Sequence, residues 1–149
     1  MISSEFIEYT KKNISEMPDV LIIEEKFENE NKALSLKLMH DGKTFLLRMQ
    51  DESDEHGELD HIFSINYMLR IKQLPKAKKE IDILRAVNKF NEQYAISKCI
   101  FVKRDNDTCV FWFRSEFLTD KETNKGIIEN TLGSLKSAPG LLTEILRGQ

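Results

Sequence analysis

Apolar side chains recur along the chain with more than one period, and each period predicts an element. Over residues 3–14, Phe6, Ile7 and Ile14 share one side of a short amphipathic helix. Met17-Pro18-Asp19 ends it, because the residue before a proline is driven out of the helical region. Strands with alternating burial follow. Asp41-Gly42 is the strongest short hairpin signal, a type I′ turn. It pairs His40 with Lys43, Leu38 with Phe45, Leu36 with Leu47 and Leu34 with Met49, so the apolar side chains meet one another. A two-residue turn at Glu30-Asn31 likewise pairs Phe27 with Leu34 and Ile23 with Leu38. One face of this meander is core, and Lys37, Thr44 and Arg48 face out.

Residues 51–60 form an acidic loop with six carboxylates. A fourth strand alternates His61, Phe63, Ile65, Tyr67, Leu69 and Ile71 against Ile62, Ser64, Asn66, Met68, Arg70 and Lys72. Leu74-Pro75 marks a switch to helix. Over residues 76–94, Ala77, Ile81, Leu84, Val87 and Tyr94 repeat with the helical period, widened by Ile83 and Phe90.

The hairpin that follows is apolar on both parities, unlike an antiparallel pair with one wet face. Cys99, Phe101, Val110 and Trp112 fall on one parity, and Ile100, Val102, Cys109, Phe111 and Phe113 on the other. Four large apolar side chains left in water forgo roughly 6–12 kcal/mol, comparable to a domain's whole net stability of ~5–15 kcal/mol. A cover for the second face is therefore expected, from the chain's own helices, a second copy or a partner. A four-residue connection, Arg104 to Asp107, pairs Lys103 with Thr108 and points the two thiols to opposite faces.

Thr119-Asp120-Lys121-Glu122 reads as a capping box for a C-terminal helix with Ile128, Leu132, Leu135, Leu142 and Leu146 as its stripe. Pro139 predicts a kink or break near residues 136–139. The order is α-β-β-β-β-α-β-β-α, an α+β fold with helices packed on an antiparallel sheet.

Composition narrows the picture. With 149 residues and no repeat, the chain is expected to form one domain, residues 1–149. A net charge of −3 argues against nucleic acid as a partner. No apolar run approaches a membrane span, and the N-terminus lacks the pattern of a signal peptide. Two cysteines, Cys99 and Cys109, fit a reducing, cytoplasmic compartment.

Candidate chemistry is sparse. The acidic loop could hold a divalent cation, but with Gly57 as the sixth residue of an EF-hand loop the twelfth would be Phe63 instead of glutamate. Otherwise it is a solvated loop. Arg70, Lys72, Lys76, Lys78 and Lys79 form a basic cluster, read as a solvated face or as a site for phosphate or acidic peptide. His61, His56 and Asp60 could be imagined as a zinc site or a base, yet no nucleophile and no Gly-rich phosphate loop accompanies them. Asn88 and Asn91 are expected to satisfy backbone groups near the helix end. No catalytic residue, metal ligand or cofactor is assigned.

Residues 69–146 resemble the YbjN-like proteins, which share a fold with the class I type III secretion chaperones. The resemblance rests on the strand ending at Leu74-Pro75, the helix bearing Ala86-Val87-Asn88-Lys89-Phe90-Asn91, the aromatic hairpin 98–117 and the capped C-terminal helix. The chain has four strands before the central helix where that family usually shows three, and its acidic loop is long. The resemblance implies an α/β sandwich, a homodimer and the binding of an extended segment of a client protein over the sheet. Met68, Phe111 and Phe113 are the expected partner surface, and Ile83, Val87 and Phe90 the expected dimer contact. The competing expectation is a small-ligand or metal-dependent regulator or enzyme using the acidic loop and His61.

Overall fold

A computed structural model describes residues 4–28, 33–53, 59–72, 79–95, 97–119 and 124–148. The elements are α1 (Ser4–Ser15), β1 (Val20–Glu28), β2 (Ala33–His40), β3 (Lys43–Ser53), β4 (Leu59–Ile71), α2 (Glu80–Gln93), β5 (Lys98–Asp105), β6 (Thr108–Thr119) and α3 (Asn124–Arg147). The strands form one six-stranded antiparallel sheet in the order β1-β2-β3-β4-β6-β5. The expected α+β class and element order hold. The chain divides into two compact units, residues 1–65 with 116–132 and residues 66–115 with 133–149.

In the first unit the Asp41-Gly42 turn sets the register. Both residues take positive φ, 50° and 71°, as a type I′ turn requires. The pairs His40–Lys43, Leu38–Phe45, Leu36–Leu47 and Leu34–Met49 follow as expected. On the other side of β2, Phe27 pairs with Leu34, but a bulge at Ile23 puts Ile22, not Ile23, opposite Leu38. The turn at Glu30-Asn31 lies outside the described residues. Leu34, Leu36, Leu38, Phe45, Leu47, Met49, Phe63 and Ile65 are buried on the inward face. Helix α1 covers that face, with the Phe6 ring 5.7 Å from Phe63, which lies 5.8 Å from Phe117. Asn124, at the start of α3, donates to Thr10 Oγ1 at 3.1 Å and accepts from Asn13 Nδ2 at 3.1 Å. Burying these amides is tolerable because they satisfy one another.

Helix α2 opens at Glu80, where the Lys79 backbone N–H donates to Asp82 Oδ2 at 3.3 Å. Residues 73–78, including Leu74-Pro75, Lys76, Ala77 and Lys78, lie outside the described residues. Its buried stripe is Ile83, Ala86, Val87 and Phe90. That corrects the expected stripe, because Ile81 and Leu84 lie toward solvent. Phe90 meets Phe113 edge-on at 5.5 Å.

The β5–β6 hairpin also departs from expectation. Its turn is two residues, Asn106-Asp107, with Asn106 at φ 56°, a conformation asparagine tolerates. A bulge at Val102 then shifts the register, so Phe101 faces Phe111, Ile100 faces Trp112 and Cys99 faces Phe113. Cys99, Cys109, Phe111 and Phe113 thus all belong to the inward, buried face. The thiols share one face instead of pointing apart. Both remain free, since four residues of strand separate Cys109 from the position opposite Cys99, roughly 13 Å.

Helix α3 runs unbroken from Asn124 to Arg147 with Pro139 inside it, so the expected break is absent. Its stripe, Ile128, Leu132, Leu135, Ala138, Leu142 and Leu146, is buried on both sides of the proline, so burial continues along the helix despite the hydrogen bond that the proline removes. Thr119 closes β6; its side chain and residues 120–123, on which the expected capping box falls, lie outside the described residues.

Candidate functional site

The inward-facing apolar side chains are buried, which leaves the outward face as the sheet's exposed surface. In the second unit, β4 turns Asn66, Met68 and Arg70 outward. β6 contributes Trp112 and Arg114, and β5 contributes Lys98, Ile100 and Lys103. The rows across the hairpin are Lys98–Arg114, Ile100–Trp112 and Lys103–Val110. Trp112 donates its indole N–H to Asn66 Oδ1 at 2.9 Å, fixing the ring between β4 and β5. Arg114 places its guanidinium 6.0 Å from the centre of that ring. Around this row Met68 is 49% exposed, Ile100 47% and Val102 44%.

The chain's own described residues leave these three side chains half exposed, so of the expected covers for the second face a second copy or a partner remains. The bulge at Val102 moves Cys99 and Phe101 inward to join Phe111 and Phe113, and Ile100, Val110 and Trp112 take the outward rows. Ile100 and Val102 are about half exposed within the chain. The expected partner residues divide accordingly. Met68 is on the exposed surface, whereas Phe111 and Phe113 are buried in the chain's own core. Ile83, Val87 and Phe90, the expected dimer contact, are buried in the same way beneath α2. Ile81 and Leu84 are the apolar side chains that α2 offers to solvent.

The first unit has an outward patch of its own. Leu21 and Met39 face each other across β1 and β2, and Leu46 lies diagonal to Met39 on β3. All three are exposed, Leu21 by 65%. Beyond them the face turns polar, with Lys37 4.0 Å from Glu24 and Arg48 3.4 Å from Glu28.

The sheet edges are guarded. Along β1 stand the bulge at Ile23 and the charges Glu24, Glu25 and Lys26; Glu25 accepts from Lys11 at 2.8 Å. That hydrogen bond, more than any other influence, raises the Lys11 pKa. Along β5, Asn91 takes the place of a neighbouring strand. Its Nδ2 donates to the Cys99 carbonyl at 3.0 Å and its Oδ1 accepts from the Cys99 N–H at 2.7 Å. Asn91 was singled out in the sequence for backbone satisfaction near its own helix; the backbone it satisfies is that of β5. Asn88, its neighbour in the motif, is exposed.

No reactive thiol is present at this face. Burial pushes the Cys99 pKa up to about 12 and raises that of Cys109 as well, the latter opposed in part by Arg104. Among the described residues no three His, Cys, Asp or Glu side chains group as a metal site. Of the acidic stretch, residues 51–53 extend β3 and 59–60 open β4, so the strands reach further into it than expected. Residues 54–58, with His56, lie outside the described residues, as does the side chain of His61. His40 sits elsewhere, its Nδ1 3.2 Å from the Asp19 carbonyl. Among the described residues no helix is long and apolar enough to cross a membrane.

No family model, curated protein or solved structure matches the chain.

Proposed function

We propose that the chain is a non-enzymatic, cytoplasmic protein-binding module, working as a homodimer, that holds a segment of a client protein against the outward face of its sheet. The observation that carries this reading is the exposure of Met68, Ile100 and Val102 around a pinned tryptophan, beside a fully packed inward face. Contiguous exposed apolar groups with a polar rim are the usual mark of an interaction site. Capture by strand addition is disfavoured, because bulges, charges and the Asn91 clamp are devices that blunt sheet edges. Apolar contact with the sheet face is favoured instead. The YbjN-like resemblance of residues 69–146 supports the same role. Self-association falls to Ile81 and Leu84, the exposed apolar pair on α2.

The test is a variant carrying Met68→Asp and Ile100→Asp. Both side chains are half in water, so the fold should survive, checked by circular dichroism and a urea midpoint close to the parent's. Proteins retained on the immobilised parent chain should be lost from the variant. Unchanged retention would remove this face from the site.

A further inference from the structure

We propose that the outward surface of β4, β6 and β5 selects an acidic, amphipathic segment of its protein partner, in which large apolar side chains are interspersed with Asp and Glu. This inference rests on the protein-binding reading and adds the chemistry of the partner. The apolar row Ile100–Trp112 is flanked by the row Lys98–Arg114 on one side and by Lys103 on the other. Past Met68 the chain continues to Arg70 on β4 and to Lys72 just beyond its end, both exposed. Lys103 is answered by Asp105 at 3.0 Å. Arg70, Lys72 and Lys98 have no acidic partner among the described residues. Against these five cations stand three exposed acids, Asp105, Asp107 in the hairpin turn and Glu116 two residues beyond Arg114 on β6, so on a chain of net charge −3 this surface still carries an excess of positive charge. Complementary charge steers encounter and rejects partners of like charge.

A single-stranded nucleic acid would also seek cations beside an aromatic ring. Two details favour the peptide. Trp112 already has its N–H on Asn66 and the Arg114 guanidinium near its ring, which leaves little open face for a base to stack on. The other exposed groups, Met68, Ile100 and Val102, are aliphatic; they bury side chains and do not stack bases.

Trp112 is the only tryptophan in the chain and stands at the centre of the surface, so its fluorescence reports occupancy directly. The full chain is titrated with a synthetic amphipathic peptide of Leu, Phe and Glu, with twins carrying Gln or Lys for Glu, and with oligothymidylate. The Glu peptide should shift Trp112 emission saturably. Its affinity should fall by about tenfold or more in the double variant Lys72→Glu, Lys98→Glu and weaken as salt rises. Binding of the Gln or Lys twin as tightly as the Glu peptide would overturn the acidic preference and leave the protein-binding reading standing. A response to oligothymidylate alone would assign the surface to nucleic acid and overturn both. If no peptide moves Trp112, the acidic-segment inference falls, and the retention test with Met68→Asp and Ile100→Asp decides separately whether the face binds protein.

Discussion

At Asn91 one side chain stands in for a missing strand. Its amide holds both the N–H and the C=O of Cys99, two backbone groups that an edge strand would otherwise turn to water or to another chain. Asn91→Ala should cost about 1–3 kcal/mol, the range for deleting a partner of backbone groups in a part-buried setting. Hydrogen exchange at the Cys99 amide should accelerate more than at Phe113 opposite. An unchanged urea midpoint together with unchanged exchange would remove the clamp from the account. Cys99 itself supplies a pH signature. The folded chain keeps the thiol proton up to about 12, while the unfolded chain releases it near 9.0. Stability from this group is therefore complete below pH 9 and is lost as pH rises from 9 toward 12, by up to ~1.4 kcal/mol per pH unit. Urea midpoints measured from pH 8 to 10.5 should fall more steeply for the parent than for Cys99→Ala; parallel slopes would contradict the buried, neutral thiol. Residue types alone flagged Asn91, but its partner was hidden, since only the fold brings β5 alongside the end of α2.

Among the elements, legibility followed how many local signals agreed. The β2–β3 hairpin was readable to the residue because turn chemistry and apolar pairing give one register. The β5–β6 hairpin was not. Its residues are apolar on both parities, so nothing in the pattern marks Val102 as the extra residue or favours a turn of two residues over four. Helix α2 failed in a similar way. Ile81 and Leu84 are as apolar as Ile83 and Val87, and only the position of the sheet decides which pair is buried. Two glycines give predictions of opposite sign. Gly42 has open space where a Cβ would go, but its φ of +71° makes Gly42→Ala cost about 1–2 kcal/mol. Gly140 lies inside α3 with equally open space, so Gly140→Ala should stabilise by about 0.5–1 kcal/mol. Thermal midpoints of the two variants should move in opposite directions, and a shared direction would refute the turn or the helix.

For the whole molecule, the α+β class and element order could be written down from hydrophobic periodicity, whereas the set of exposed apolar side chains could be read only in part. Sequence reasoning took the most aromatic strand, with Phe111 and Phe113, as the surface. Those rings serve the core, and Phe111→Asp should unfold the chain, at a cost above the roughly 3–5 kcal/mol of deleting a buried phenylalanine. The exposed set is plainer: methionine, isoleucine and valine around one tryptophan, flanked by lysines and arginines on a chain of net charge −3. Of that set the sequence reading picked out Met68 as a partner residue; Ile100 and Val102 show nothing in the sequence that separates them from core side chains. If self-association runs through α2, light scattering across a dilution series should give a dimer for the parent and a monomer for the double variant Ile81→Asp, Leu84→Asp. A dimer in both would move the contact elsewhere.

The most direct test of the outward sheet as the binding face is site-specific photo-crosslinking in the cell that makes the protein. A photoreactive residue would stand at Met68 in one variant and at exposed Asn88 on α2 in another. The account predicts a discrete adduct of reproducible mass from position 68, resolved by mass spectrometry to one partner segment, and only diffuse background from position 88. An adduct pattern at 88 equal to or stronger than that at 68 would contradict it.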